Sequence, residues 1–273
     1  PREGGKVLLV RPPSDFGLTN IFKGELGEDS VMEIELGSHL QRLDECRWSV
    51  DVDSSTDLDD LLNDGPDFDH VLFLGALQTN GSVLPDIIEQ SQKLGVWSLL
   101  RVVQALANRD KPMPSALSVI TNNAHGVRGS DPVLPHGAST IGLARVIDRE
   151  FGDLEVRCVD LLAEDLLGVN QSKQHMIRSL AGDEDGWLSA ENLASVRQEG
   201  VYISDVERME WPVGDSAELA LRENGVVLII GGAGGLGMEF AKRFAQQSRA
   251  RVALVGRSPL TPERSEEHTS ELQ

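Results

Sequence analysis

The chain has 273 residues, of which 40% are hydrophobic and 25% charged, a composition typical of a globular protein with one large or two ordinary domains. Its formal net charge of −19 argues against nucleic acid or an anionic membrane surface as a partner. This charge fits a soluble, cytoplasmic protein. No apolar run approaches the roughly 18 residues that a membrane-spanning helix needs.

Segments with the pattern of buried strands alternate with segments of helical spacing along the chain. The pattern predicts strands over residues 6–10, 31–36, 48–52, 70–77, 116–121 and 155–161. It predicts helices over 16–26, 38–46, 57–62, 86–108, 136–151 and 173–180, a helix end or strand over 192–203, and a connector over 211–214. The helix over 136–151 is expected to direct Ile141, Ala144, Val146 and Ile147 mostly inward. This alternation is typical of an α/β fold with a parallel sheet covered on both faces.

A glycine-rich turn follows an apolar strand predicted over residues 226–230. The turn reads Gly231, Gly232, Ala233, Gly234, Gly235, Leu236 and Gly237, and a helix from about Leu236 leads into a buried strand over 251–255. Glycine lets a backbone approach a pyrophosphate, and a helix N-terminus directs N–H groups at it. Positions 232, 234 and 237 fit G-x-G-x-x-G, while 231, 235 and 237 fit the G-x-x-x-G-x-G of short-chain dehydrogenase/reductases. The order predicts a dinucleotide site, and the alternative is a turn without a ligand.

The end of the strand over 251–255 indicates which dinucleotide binds. An NAD site usually has an acidic residue there, whereas this strand is followed by Gly256, Arg257 and Ser258, with no acid before Glu263. A guanidinium is a planar, permanently charged group that suits the 2′-phosphate of NADP. We therefore predict NADP, the alternative being a solvated loop arginine.

Several segments together resemble the ketoreductase region of modular polyketide synthases. They are residues 99–106 and 117–121, 136–147 with Glu150, 156–161 with its Val-Asp-Leu, 192–202 with Arg197, Gly200 and Tyr202, and the turn 231–237 with 256–258. The match runs from about residue 70 to 258, and more loosely from residue 6.

The resemblance implies a Rossmann-like structural subdomain without a cofactor over residues 1–214. It implies that residues 215–263 are the first β-α-β unit of a catalytic, NADP-binding Rossmann subdomain, with 231–237, Arg257 and Ser258 as cofactor-binding residues. The implied reaction is hydride transfer from NADPH to a β-ketoacyl thioester on an acyl carrier protein domain. The expected partners are therefore that carrier domain and the neighbouring synthase domains.

The chain departs from the family pattern in two respects. Ile230 stands where the family usually has Thr, which removes a hydroxyl able to hold the turn. The family's catalytic Ser, Tyr and Lys lie downstream of the strand over 251–255, and Tyr202, the only tyrosine, is followed four residues later by Val206 rather than Lys. Residues 122–124 read Asn-Asn-Ala, which we interpret as a turn that echoes a reductase motif. We therefore assign no catalytic residue and expect this chain alone to be inactive.

Two other functions stay open: a free-standing NADP-dependent short-chain reductase with an N-terminal extension, and a non-enzymatic Rossmann scaffold. No metal site is predicted, because the histidines lack metal-ligand spacing. The sequence begins without Met, which suggests a cut N-terminus. Residues 264–273 match the translation of a common sequencing adapter, so we expect native sequence only to about Glu263; a polar linker is the alternative.

Overall fold

The computed structural model describes residues 5–79, 81–167, 193–209, 221–232 and 234–257. The chain divides into two compact units, Pro1–Val206 and Glu207–Gln273. The helix predicted over 173–180, the connector over 211–214, Ala233, Ser258 and the tail over 264–273 lie outside the described residues. The expected domain boundary between residues 214 and 215 lies outside them too.

Nine described strands form one sheet in the first unit. They are β1 (Val7–Arg11), β2 (Val31–Gly37), β3 (Gln41–Arg42), β4 (Arg47–Asp51), β5 (His70–Phe73), β6 (Ala116–Asn122), β7 (Glu155–Leu161), β8 (Leu193–Arg197) and β9 (Gly200–Ile203). Their order across the sheet is β3-β4-β2-β1-β5-β6-β7-β8-β9. Neighbours from β4 to β8 are parallel, and the edge strands β3 and β9 pair antiparallel. The chain starts in the middle of the sheet and fills one side before the other, as in Rossmann folds.

Helices cover both faces of this sheet. They are α1 (Leu18–Leu26), α2 (Asp57–Asp64), α3 (Pro85–Gln92), α4 (Ser98–Asn108), α5 (Ala138–Glu150) and α6 (Ala163–Leu166). One apolar core packs α2, α4 and α5 on the sheet, and a second packs α1 and α6 on the opposite face. Val7 to Val10 of β1 are all buried, as expected for a strand that is covered on both faces. The predicted α/β fold with a mostly parallel sheet is confirmed.

Three local predictions are wrong. Residues 38–46 contain β3 and turns rather than a helix, because Gln41 and Arg42 pair with β4. The helix predicted over 86–108 is interrupted by a π-helical turn at Lys93–Trp97. There a Cβ on Gly95 would lie 2.7 Å from Thr140 Oγ1 of α5, so only glycine permits this approach. In the helix over 136–151, Val146 is 52% exposed and does not point inward, whereas Ile141, Ala144 and Ile147 are buried as predicted.

The second unit contains a short parallel sheet and one helix. Its described elements are β10 (Val226–Ile230), α7 (Gly235–Ser248) and β11 (Arg251–Val255), and β10 pairs with β11 in parallel. Met238 and Ala241 of α7 are buried. Alternate residues of β10 are exposed, at 71% for Val226, 61% for Leu228 and 82% for Ile230. One face of this sheet is therefore open in the described residues. Separately, no helix in the described part of the chain is long and apolar enough to cross a membrane.

Candidate functional site

The glycine-rich turn lies at the carboxyl edge of the β10–β11 sheet. Gly231 directly follows β10 and has a φ of 78°, a left-handed conformation that favours glycine. Its N–H donates to the carbonyl of Val255 at 2.7 Å, which ties the turn to the end of β11. The N–H of Gly234 donates to the carbonyl of Gly231 at 3.2 Å. The turn is therefore fixed where parallel α/β sheets bind ligands.

The glycines of the turn have two different surroundings. A Cβ on Gly237 would lie 2.5 Å from Gly232 Cα, and a Cβ on Gly232 would lie 2.6 Å from Leu254 Cδ2. These two glycines allow α7 to begin directly against the strands. A Cβ on Gly231 or Gly235 would have no atom of a non-adjacent described residue within 4 Å. The space beside these two residues is therefore open to a ligand that approaches the backbone.

The N-terminus of α7 points its first N–H groups out of the turn. Gly234 precedes the helix and provides no side-chain cap. The N–H of Met238 donates to the carbonyl of Gly234 at 3.0 Å, so the N–H groups of Gly235, Leu236 and Gly237 come before the first helical turn closes. Leu236 is 80% exposed. An uncapped N-terminus with a partial positive charge, beside open glycines, fits an anion such as a pyrophosphate.

Arg257 lies two residues beyond β11 and is exposed. β10 and β11 are parallel, so their carboxyl ends lie at the same edge of the sheet, and Arg257 lies just beyond the edge that carries the glycine turn. Arg257 makes no salt bridge to another described residue, and a guanidinium at this edge suits an anion. Basic residues also outnumber acidic ones over 221–257, although the whole chain has a net charge of −19. The sequence prediction for Ala233 and Ser258 falls outside the described residues.

The corresponding turn of the first unit has a different chemistry. Between β1 and α1, the carboxylate of Asp15 accepts the N–H of Gly17 at 2.9 Å and the N–H of Thr19 at 2.8 Å. Asp15 is 9% exposed. The chain's own carboxylate thus occupies the N-terminus of α1, where a dinucleotide fold would bind phosphate.

The other residues that the sequence singled out have structural contacts. The Oδ1 atom of Asn122 accepts the backbone N–H of Gln78 at 2.6 Å, and the Nδ2 atom of Asn122 donates to the backbone carbonyl of Gln78 at 3.1 Å. Asn123 has a φ of 55° and accepts the N–H of Ala163 at 2.8 Å. These contacts join the loops after β5, β6 and β7, as expected for a structural turn. The described parts of the chain contain no group of three or more His, Cys, Asp or Glu that could hold a metal ion.

Residues 225–273 match a family model described as KR domain. The chain is 28% identical over 200 residues to polyketide synthase ThaG of Burkholderia thailandensis, a match that covers 72% of this chain and 3% of that protein. It is 32% identical over 173 residues to one of the phenolphthiocerol/phthiocerol polyketide synthase proteins of Mycobacterium tuberculosis, covering 60% of this chain and 8% of that protein. The chain therefore spans less than a tenth of the length of these curated relatives.

Solved structures with the same fold are similar over nearly the whole chain. A multidomain structure with adenylation, ketoreductase and pseudo-Asub domains from a keto acid-selecting NRPS module matches with a TM-score of 0.81 and 20% identity, covering 98% of this chain and 22% of that one. An N-terminal ketoreductase from the macrolactin assembly line matches with a TM-score of 0.72 and 20% identity, covering 98% of this chain and 52% of that one. At these identities the likeness concerns the fold.

Proposed function

We propose that this chain is part of a polyketide synthase ketoreductase of the short-chain dehydrogenase/reductase superfamily. The matching family model and the curated relatives support this proposal, and the solved structures support its fold. The whole protein reduces a β-ketoacyl thioester, held on an acyl carrier protein domain, to the β-hydroxyacyl form. NADPH is the reductant. Neighbouring synthase domains are further partners, and the cytoplasm is the proposed compartment.

The observation that carries this proposal is the pairing of packed and open glycines at an uncapped helix N-terminus. Gly232 and Gly237 bring α7 against the strands, while a Cβ built on Gly231 or Gly235 has no atom of a non-adjacent described residue within 4 Å. We assign the pyrophosphate to the turn 231–237, where the N–H groups at the start of α7 would donate to its oxygens. When bound, the cofactor supplies the hydride.

Arg257 is the residue that we assign to the 2′-phosphate. It is exposed, has no salt-bridge partner among the described residues, and follows the strand whose end holds the glycine turn. A guanidinium can donate two parallel hydrogen bonds to a phosphate. We assign Ser258 to the same phosphate group, as the resemblance implies.

The two parts of the chain have different proposed roles. Residues 1–214 are the structural subdomain, and the carboxylate of Asp15 at the start of α1 supports the proposal that this part binds no cofactor. Residues 215–263 begin the catalytic subdomain. We propose that this chain alone is inactive, because it carries no Tyr-x-x-x-Lys segment.

The experiment uses the complete synthase protein that contains this chain and measures NADPH consumption with a β-ketoacyl thioester. Gly235→Val places a side chain in the open space beside the turn and is expected to abolish reduction. Gly152→Val is the matched control, since a Cβ there also meets no atom within 4 Å, and it is expected to retain reduction. Full activity in Gly235→Val would contradict the assigned site. Failure of the unaltered protein to bind NADPH would instead favour a Rossmann scaffold.

A further inference from the structure

A buried arginine joins three segments at the carboxyl edge of the nine-stranded sheet. Arg197, the last residue of β8, has a side chain that is 0% exposed, and it contacts carboxylates that are 1% exposed at Asp131 and 0% at Asp160. Its guanidinium donates to Asp131 Oδ2 and to Asp160 Oδ2, each at 3.1 Å. It also donates to the carbonyl of His125 at 2.8 Å and to that of Asp160 at 3.0 Å. We call Arg197, Asp131 and Asp160 the Arg197 cluster.

Both carboxylates of the cluster are also held by groups other than Arg197. Asp160 Oδ1 accepts the hydroxyl of Thr121 and the N–H of Ala124, each at 2.8 Å. Asp131 Oδ1 accepts Nε of Arg128 at 2.8 Å. The two carboxylates are therefore positioned by the loop after β6, by β6 and by β7, independently of β8. This is the edge at which parallel α/β sheets commonly bind ligands.

β9, the strand that follows Arg197, has little apolar burial of its own. All four residues of β9 are exposed, with Val201 at 41% and Ile203 at 43%. The turn between β8 and β9 makes two further polar contacts. The N–H of Gln198 donates to Asp165 Oδ2 at 3.1 Å, and Glu199 pairs with Arg128 at 2.8 Å. β8 itself is buried in the apolar cores and pairs with β7, so the polar contacts matter most for β9 and for the turn that joins it to β8.

We propose that Arg197 is a built-in guanidinium ligand of the Asp131 and Asp160 carboxylates, and that it fixes the β8–β9 hairpin to the loop after β6. The arginine fills a position that a separate cationic ligand would otherwise occupy. Arg197 thereby also holds β9, the last described strand of the first unit. β9 ends at Ile203, and the first unit ends at Val206. Loss of the guanidinium would leave two buried carboxylates without their shared cation and would free the hairpin.

The test compares the unaltered full chain with Arg197→Ala by hydrogen exchange measured by mass spectrometry. Exchange over residues 193–203 is expected to be about a hundredfold faster in the variant, because breaking a buried ion pair is strongly destabilising. Added methylguanidinium is expected to restore slow exchange, since it can bind the two carboxylates that Arg197 leaves. Unchanged exchange over 193–203, or no response to methylguanidinium, would overturn the proposal.

Arg109→Ala is the matched control. Arg109 is also buried, at 6% exposed, but its guanidinium donates to the carbonyls of Pro66 and Pro112 rather than to carboxylates. Methylguanidinium is expected to leave this variant unchanged, and equal rescue of both variants would contradict a specific carboxylate site.

Two variants with similar side-chain volume keep the proposal testable if Arg197→Ala does not fold. Arg197→Lys retains a charge but loses the planar set of donors, and Asp131→Asn removes one carboxylate. Both are expected to speed exchange over 193–203. Neither should respond to methylguanidinium, because Arg197→Lys keeps a cationic side chain at the cluster and Asp131→Asn keeps Arg197 itself. Exchange at the unaltered rate in both variants would refute the proposal.

Discussion

Substituting alanine at Gly237 and at Gly235 separates the packing role of the turn from its proposed cofactor role. A Cβ on Gly237 would lie 2.5 Å from Gly232 Cα and 2.7 Å from the Gly232 carbonyl oxygen. Comfortable contacts between heavy atoms need about 3.5–4.0 Å, so the start of α7 must move by about 1 Å. Overpacking of this kind costs about 1–3 kcal/mol. If this cost is added to the free energy of the cofactor-bound state, the NADPH dissociation constant rises about 5- to 150-fold.

Gly235→Ala is the counterpart with no steric cost in the protein. A Cβ at Gly235 meets no atom within 4 Å, so we expect the second unit to keep its stability. Because the methyl group enters the space that we assign to the pyrophosphate, NADPH affinity is nevertheless expected to fall. The assays are hydrogen exchange over residues 226–255 for stability and a fluorescence titration of the complete protein with NADPH for affinity. Equal destabilisation by the two variants, or unaltered affinity in both, would refute this reasoning.

Three further predictions concern stability, cofactor choice and the two units. Burial, with a smaller contribution from Arg157, lowers the pKa of His70 from 6.5 to about 4. Since the folded pKa lies below the unfolded one, the free energy of unfolding of the first unit should fall by on the order of 3 kcal/mol between pH 6.5 and pH 4. In urea unfolding, His70→Gln should show a smaller dependence of this free energy on pH than the unaltered chain. An equal dependence in both proteins would contradict this prediction. Arg257→Leu is expected to weaken NADPH binding about tenfold or more while leaving NADH binding unchanged, as measured by titration; equal losses for both would remove the assignment. Limited proteolysis should degrade residues 221–263 before the first unit, because an open two-stranded sheet is marginally stable, and preferential survival of 221–263 would contradict that expectation.

The fold was predictable because its signals are local. Buried strands such as β1 and β5 appear in the sequence as short apolar runs, and the helices between the strands show helical spacing. The strand, glycine turn, helix and strand of the second unit are contiguous in the sequence. Their order alone therefore predicted the β-α-β arrangement, whereas the close approach of Gly237 to Gly232 became visible only in the structure.

Features that depend on distant residues could not be predicted in this way. β3 forms because Gln41 and Arg42 pair with β4, although the pattern over 38–46 predicts a helix. The π-helical turn at Lys93–Trp97 accompanies the packing of Gly95 against Thr140 of another helix. The Arg197 cluster unites residues from three separate segments: the strand β7, the strand β8 and the loop after β6. Nothing in the local pattern of any of these segments indicates its partner.

The most direct test of the account is a map of the backbone amides that NADPH protects from hydrogen exchange in the complete protein. The account predicts protection over residues 231–237 and around Arg257, with weaker protection near Arg257 when NADH replaces NADPH. Protection over residues 12–19, at the turn where Asp15 caps α1, would contradict the assignment of the cofactor to the second unit. Absence of protection at both turns would contradict the proposed reductase site as a whole.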